Sequence, residues 1–304
     1  MEALLDPLQY AILPIFAVPA IGFVMGLRGT FSAEAARGTN QFVIAVALPA
    51  LMFALMSRTR FDEVDWPVLI AYIGSNLTLY AVGYVFFRFG FGLRRREAVL
   101  LGFTGALPNH VFFILPIIES LYGAEAARAV VLMIPFDVVI MFAGTSLIME
   151  ALAGDRTPAQ TLGAIIRNPL LIAIAAGGAV AGFSIDLHDG LERFLTFTGA
   201  AAAPASLFAL GVMLSQSDLS RIGGPAWTAT VIKVFVHPLI AIILFAETVP
   251  VSPAWEAASI LVFAAPSGAM AFVLAVKYDV PVDSIAKAII LSTALSVFTI
   301  AALA

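Results

Sequence analysis

The chain contains no cysteine in its 304 residues, so disulfides, thiolate metal sites and a cysteine nucleophile are excluded. Charge is scarce as well. The 16 Lys and Arg and 20 Asp and Glu make up 12% of the sequence, about half the usual share of soluble domains. That is too little to cover a soluble protein of this size, which excludes a soluble enzyme and a disordered chain. Histidine is limited to His110, His188 and His237, so a metal centre has few ligands to draw on. Neither a His-Glu-x-x-His pair nor a Gly-x-x-x-x-Gly-Lys loop occurs, and no nucleotide-binding segment is present. No catalytic residues, metal or cofactor are expected. A net charge of −4 offers no basic surface for nucleic acid.

What is present is apolar: 61% of residues, with a mean hydropathy of +1.01. This fits an all-α polytopic membrane protein, since continuous apolar runs make helices and not the alternating strands of a barrel. Cutting at charge and Pro/Gly clusters gives ten candidate spans, at about 7–27, 38–57, 67–89, 97–121, 127–149, 165–184, 191–214, 225–246, 256–277 and 282–303, each near the roughly 20 residues a bilayer needs. The first is no signal peptide, because Glu2 and Asp6 precede it and Pro14 and Pro19 interrupt it. With the N-terminus outside, eleven Lys and Arg fall in cytoplasmic connections, four of them being Arg88, Arg94, Arg95 and Arg96, against four in outer ones. The expectation is a cell-membrane protein (the inner membrane in a bacterium) with both termini outside.

The two halves of the chain resemble each other. Residues 127–132 (ARAVVL) match 286–291 (AKAIIL), 49–55 (PALMFAL) match 204–210 (PASLFAL), 6–8 (DPL) match 168–170 (NPL), and Pro108 pairs with Pro266. The order is the same in both halves. Two repeats of five spans follow, at 1–150 and 165–304, joined by a cytoplasmic linker at 151–164 that carries Gly154, Asp155, Arg156 and Pro158. An odd number of spans turns the second copy upside down, an arrangement typical of secondary transporters.

Spans 4 and 9 carry the chemistry. Pro108 removes a backbone donor, Gly105 eases unwinding, and Asn109 and His110 place polar groups at mid-depth. Pro266, Ser267 and Gly268 form the counterpart in span 9. One such helix reads as an ordinary proline kink. A matched pair with Asn-His attached favours a binding site, where freed N–H groups and half-helix N-termini attract an anion. Ionisable residues inside spans are costly unless paired or hydrated. Asp137 in span 5 and Lys233 in span 8 form either a buried ion pair or separate functional groups. In the second case Lys233 balances an anion, and Asp137 or His110 carries a proton. Asn76, with Ser75 and Thr78, reads as interhelical hydrogen bonding. Ser292, Thr293 and Ser296 in span 10 do the same or line the site.

With these residues in view, the sequence resembles the auxin efflux carrier family of bacterial and plant transporters. The matching pieces are Asn168-Pro169-Leu170, Lys233 and Pro238, Ala265-Pro266 through residues 273–275 (VLA) and Tyr278, residues 292–296 (STALS), and the Asn109 region ending at residues 121–123 (LYG). The resemblance implies two inverted five-helix repeats, with spans 1, 2, 6 and 7 as a scaffold and homodimer contact. Spans 3–5 and 8–10 would form a mobile transport domain, with spans 4 and 9 crossing at Pro108 and Pro266. It implies a small organic anion, a carboxylate, held at the crossover by Asn109, Ser267 and Gly268 and moved by an elevator mechanism. Lys233 or His110 would balance its charge, with coupling to H+ or Na+ left open. His110 stands where the family more usually has a small residue. Rival readings are a sodium-coupled symporter of the bile-acid carrier type, a gated pore and a ligand sensor.

Overall fold

The computed structural model describes residues 17–152, 159–160, 163, 167–216, 221–247 and 253–303. The DPL segment at 6–8 and the linker residues Gly154, Asp155, Arg156 and Pro158 lie outside them, as does the first half of the first expected span. The described residues are helical throughout, with no β-strand among them. The helices are α1 (Ala17–Leu27), α2 (Ala33–Ser57), α3 (Trp66–Gly90), α4 (Arg95–Ala106), α5 (Leu115–Phe136), α6 (Gly144–Ala151), α7 (Pro169–Gly182), α8 (Asp189–Leu214), α9 (Gly224–Leu244), α10 (Pro253–Ala264), α11 (Met270–Lys277) and α12 (Asp283–Leu303). Six of the helical stretches are long and apolar enough to cross a membrane: α2, α3, α8, α9, α12 and the run Ile117–Ala151 that joins α5 to α6. The shorter ones include α4, α10 and α11, which are pieces of interrupted helices.

Local chemistry sets the helix ends. Ser32, Asp65 and Asn168 each accept a backbone N–H of the first turn, at 3.1, 3.3 and 3.1 Å, and so cap α2, α3 and α7. Pro67 and Pro169 sit in the first turns of α3 and α7, where a missing N–H costs nothing. Prolines further in act differently. The turn ahead of Pro49 widens to a π-turn at Val43–Ala47, and the turn ahead of Pro238 does so at Ile232–Val236, since neither proline can donate to the carbonyl four residues back. A third π-turn, Asp137–Ala143, joins α5 to α6.

Close packing is achieved through small residues. A Cβ on Gly177 of α7 would lie 2.7 Å from the Phe53 carbonyl oxygen, and one on Gly199 of α8 would lie 2.8 Å from Leu51 Cα. Helix α2 therefore meets α7 and α8 backbone to backbone, the way helices associate in lipid. Two apolar clusters fill the interior. One gathers Tyr72, Ile117, Val130, Leu261 and Phe263 from α3, α5 and α10, and the other gathers Leu48, Phe103, Phe142, Leu210 and Phe272 from α2, α4, α8, α11 and the π-turn after α5. The interrupted helices contribute to both, α4 and α11 to one and α10 to the other.

Candidate functional site

Two of the non-helical segments, one around Pro108 and one around Pro266, meet. Helix α4 ends at Ala106, and Leu107 before Pro108 is extended (φ −77°, ψ 118°), as the residue ahead of a proline prefers. Helix α10 ends at Ala264, and α11 begins at Met270. Between them Pro108 and Ser267 form a single antiparallel bridge. Asn109 N–H donates to the Pro266 carbonyl at 2.8 Å, and Gly268 N–H donates to the Leu107 carbonyl at 3.0 Å. Each interrupted helix thus satisfies backbone groups freed in the other, which is how non-helical backbone survives at membrane depth. Ser292 of α12 braces the crossing by accepting the Ser267 N–H at 3.1 Å.

A cavity of about 80 Å³ opens beside the crossing. That is several times the space one water needs. One wall is apolar and comes from α2 and α8, with Leu48, Met52, Ala203 and the hydroxyl-bearing Ser206. The opposite wall comes from the crossing, the start of α11 and the π-turn after α5, with Asn109, His110, Asp137, Gly268 and Met270. The Asn109 side chain forms no hydrogen bond with any described residue and faces this space. No side chain caps the helical turn that begins at His110, nor the start of α11 after Ala269. Two helix starts with open N–H groups therefore border one cavity, the arrangement that favours a negative charge.

Beneath this wall lies a polar network. Tyr72 donates its hydroxyl to Asp137 Oδ2 at 2.5 Å and stands 3.0 Å from His110 Nε2. His110 Nε2 is 3.2 Å from the same carboxylate oxygen, and Asn76 Nδ2 donates to Asp137 Oδ1 at 3.3 Å. All four side chains are buried.

Lys233 lies elsewhere. Of the two arrangements open for Asp137 and Lys233, the structure has the unpaired one: no ion pair joins them, and the partner of Asp137 is His110. Lys233 is fully buried, off the cavity wall, and donates to the Phe263 carbonyl at 2.9 Å, with its Nζ 2.8 Å from His237 Nδ1. Both Asp137 and Lys233 sit in π-turns, where the widened helix re-aims its side chains. Ser267 is buried beside the crossing and its Oγ has no hydrogen-bond partner among the described residues, while Gly268 reaches the cavity.

The crossing therefore gathers Pro108, Asn109, His110, Pro266, Ser267 and Gly268, and Asp137 joins them through His110. Lys233 does not join them. Asn76 makes the interhelical bond expected of it, to Asp137. Ser292 touches the crossing, whereas the Thr293 and Ser296 hydroxyls bond back within α12. Sequence reasoning missed Tyr72 and Ser206. An aromatic in an apolar run reads as core, and the only available signal for Tyr72 was its position four residues before Asn76.

Comparison with known proteins agrees with this architecture. A family described as membrane transport protein matches residues 8–303. The chain is 30% identical over 300 residues to a Rhizobium meliloti (strain 1021) protein named "Putative malonate transporter", covering 96% of this chain and 93% of that one. It is 24% identical over 294 residues to an "Uncharacterized transporter" of Methanothermobacter thermautotrophicus, with 95% of each covered. It is 22% identical over 256 residues to the mouse "Lysosomal cholesterol signaling protein", covering 79% of this chain and 29% of that one. The chain belongs to the membrane transport protein family, that of the auxin efflux carriers, and is a multi-pass membrane transporter.

Proposed function

We propose that this protein is a secondary active carrier of small organic anions, and that a substrate carboxylate binds in the cavity beside the crossing. The observation that carries this reading is the convergence of two uncapped helix starts and the unpartnered Asn109 amide on one cavity. Asn109 donates to the carboxylate, and the N–H groups at the starts of the two helices supply the rest of its hydrogen bonds. The relative named for malonate spans nearly the whole chain, which makes a short dicarboxylate the first substrate to test.

Asp137 and His110 form the coupling group. His110 Nε2 meets both the Tyr72 hydroxyl and Asp137. The His110–Asp137 pair takes up one proton as the substrate binds. The pair can release that proton as the substrate leaves. Lys233 acts from behind the crossing by holding the end of α10, and so orients Ser267 and Gly268 without touching substrate.

The two halves form inverted repeats. Spans 1, 2, 6 and 7 make the scaffold and the homodimer contact, and the other six spans move past it as an elevator. The α2 and α8 wall of the cavity suits such sliding because it is largely apolar. Asn40, whose Nδ2 donates to the Val273 carbonyl at 3.5 Å, makes a weak polar link across that boundary.

The test is uptake of labelled malonate by proteoliposomes, with imposed proton or sodium gradients, together with ligand-induced thermal stabilisation. Saturable uptake driven by protons is expected. Asn109→Ala weakens malonate binding about tenfold, the equivalent of one hydrogen bond of about 1.4 kcal/mol, and keeps the wild-type melting temperature. Sodium-dependent uptake moves the reading to the bile-acid type of symporter. A folded protein that neither binds nor moves any mono- or dicarboxylate overturns it.

A further inference from the structure

A second cavity, of about 540 Å³, lies away from the crossing, between α3, α4 and α6. Its long wall is one face of α3, where Leu77, Tyr80, Ala81 and Tyr84 follow at helical spacing, closed by Val99 of α4 and Ile148 of α6. Leu77, Ala81 and Ile148 are exposed, so this groove opens onto the outer face of the bundle, where lipid tails lie. At one end the character changes. Arg88, one turn beyond Tyr84, and Arg95, at the start of α4, both line the groove. A further cavity of about 400 Å³ continues from Arg95 and Leu152 past Arg94, Arg96 and Asp279.

The cations at this end are only partly used. Arg96 is committed to the Leu152 carbonyl, at 2.8 and 2.6 Å, and so fastens α4 to the end of α6. Arg88 spends one donor on the Leu93 carbonyl at 3.2 Å, and its guanidinium lies over the Phe89 ring. Arg95 makes no ion pair with any described residue. The acids lining the adjoining cavity are Glu97 and Asp279, two carboxylates against Arg88, Arg94, Arg95 and Arg96. The end of the groove therefore has an excess of positive charge and free guanidinium donors.

From these features we infer that the groove between α3, α4 and α6 binds an anionic phospholipid. The phosphate lies between Arg88 and Arg95, and one acyl chain runs along α3 toward Leu77. Length agrees with this occupant. Eleven residues of helix from Leu77 to Arg88 rise about 16 Å, close to half of a hydrocarbon core of about 30 Å. The headgroup and the tail thus reach their matching ends of the groove at once. Arginine suits the role because its planar fork meets phosphate oxygens two at a time, and basic pockets between membrane helices take anionic headgroups for this reason. By bridging α3 to the start of α4, the lipid steadies the half-helix that leads into Pro108.

The experiment uses the full-length protein, delipidated in a neutral detergent. Its melting temperature is followed on addition of dioleoylphosphatidylglycerol, dioleoylphosphatidylcholine or free glycerol phosphate. Phosphatidylglycerol is expected to raise the melting temperature by several degrees, with little effect from the other two, and Arg88→Gln with Arg95→Gln is expected to abolish the shift. If the double variant does not fold, Ala81→Phe, which fills the groove and keeps both arginines, should reduce the shift. Equal stabilisation by phosphatidylcholine, or a full shift in the foldable variant, overturns the inference. So does a shift from glycerol phosphate alone, which would mark a site for free anions.

Discussion

Two buried groups of ionisable residues flank the crossing of the interrupted helices, and they are built differently. Asp137, His110, Tyr72 and Asn76 form a network with an open side, since Asp137 and His110 line the cavity. Lys233 and His237 form a closed one: both are fully buried, and their partners are each other and the Phe263 carbonyl. A single aromatic separates them. The Phe263 ring packs 4.4 Å from His237 on one side and 5.3 Å from Tyr72 on the other, centroid to centroid. A charged residue at mid-depth is costly in either place. In the open network that cost accompanies groups that border the cavity. In the closed one it accompanies a group that ties the end of α10 in place. Access to the cavity, rather than residue type, separates the two networks.

Lys233→Met breaks the comparison most severely. The methionine keeps the length of the side chain but removes the bond to the Phe263 carbonyl and takes from His237 Nδ1 its Lys233 partner. His237 Nε2 already has none. An abandoned buried group costs about 1–3 kcal/mol, so a loss of about 1–3 kcal/mol in thermal unfolding is expected, with malonate affinity preserved in the protein that folds. Asp137→Asn sharpens the comparison from the opposite direction. The amide still accepts from Tyr72, and the Asn76 amide is free to turn because its Oδ1 is unpartnered. Stability should therefore change by less than about 1 kcal/mol. Uptake should fall about ten- to a hundredfold, the equivalent of a charge-assisted hydrogen bond of about 1.5–3 kcal/mol, and it should lose its dependence on external pH. If Lys233→Met spares stability and abolishes binding, the two networks have exchanged roles.

The sequence made one side of this comparison easier to read than the other. A proline without a donor at mid-span leaves a visible mark, so Pro108 and Pro266 pointed to interrupted helices, and Asn109 and His110 followed as their neighbours. Asp137 and Lys233 were conspicuous because carboxylates and amines are rare in apolar runs. Their partners were hidden for different reasons. Tyr72 looks like packing in a helix of Leu, Ile and Tyr. The acceptor of Lys233 is a backbone carbonyl, a group that every residue possesses, so nothing in the sequence singles out Phe263. Opposite charges on two spans suggested an ion pair, but pairing depends on helix rotation. The π-turns that begin at Asp137 and just before Lys233 change that rotation. For the second of these turns Pro238 was the available signal.

Tyr72→Phe gives the smallest effect and the finest test. It removes one oxygen and keeps the ring that packs against Phe263 and His110. The lost oxygen is the link between the other two groups: it donates to Asp137 and stands 3.0 Å from His110 Nε2. His110 and Asp137 remain 3.2 Å apart through their direct contact, so the proton still has a place to reside. The expected stability loss is about 1 kcal/mol, the net worth of one hydrogen bond. Uptake should persist at a reduced rate and keep its response to pH, unlike uptake by Asp137→Asn. The order of the three variants then decides between two accounts of the open network. If Tyr72→Phe lowers the melting temperature more than it slows uptake, the hydroxyl is part of the scaffold, and the network resembles its closed neighbour. If it slows uptake at nearly constant stability, Tyr72 belongs with His110 and Asp137 in the coupling group, and Phe263 marks the boundary between support and transport.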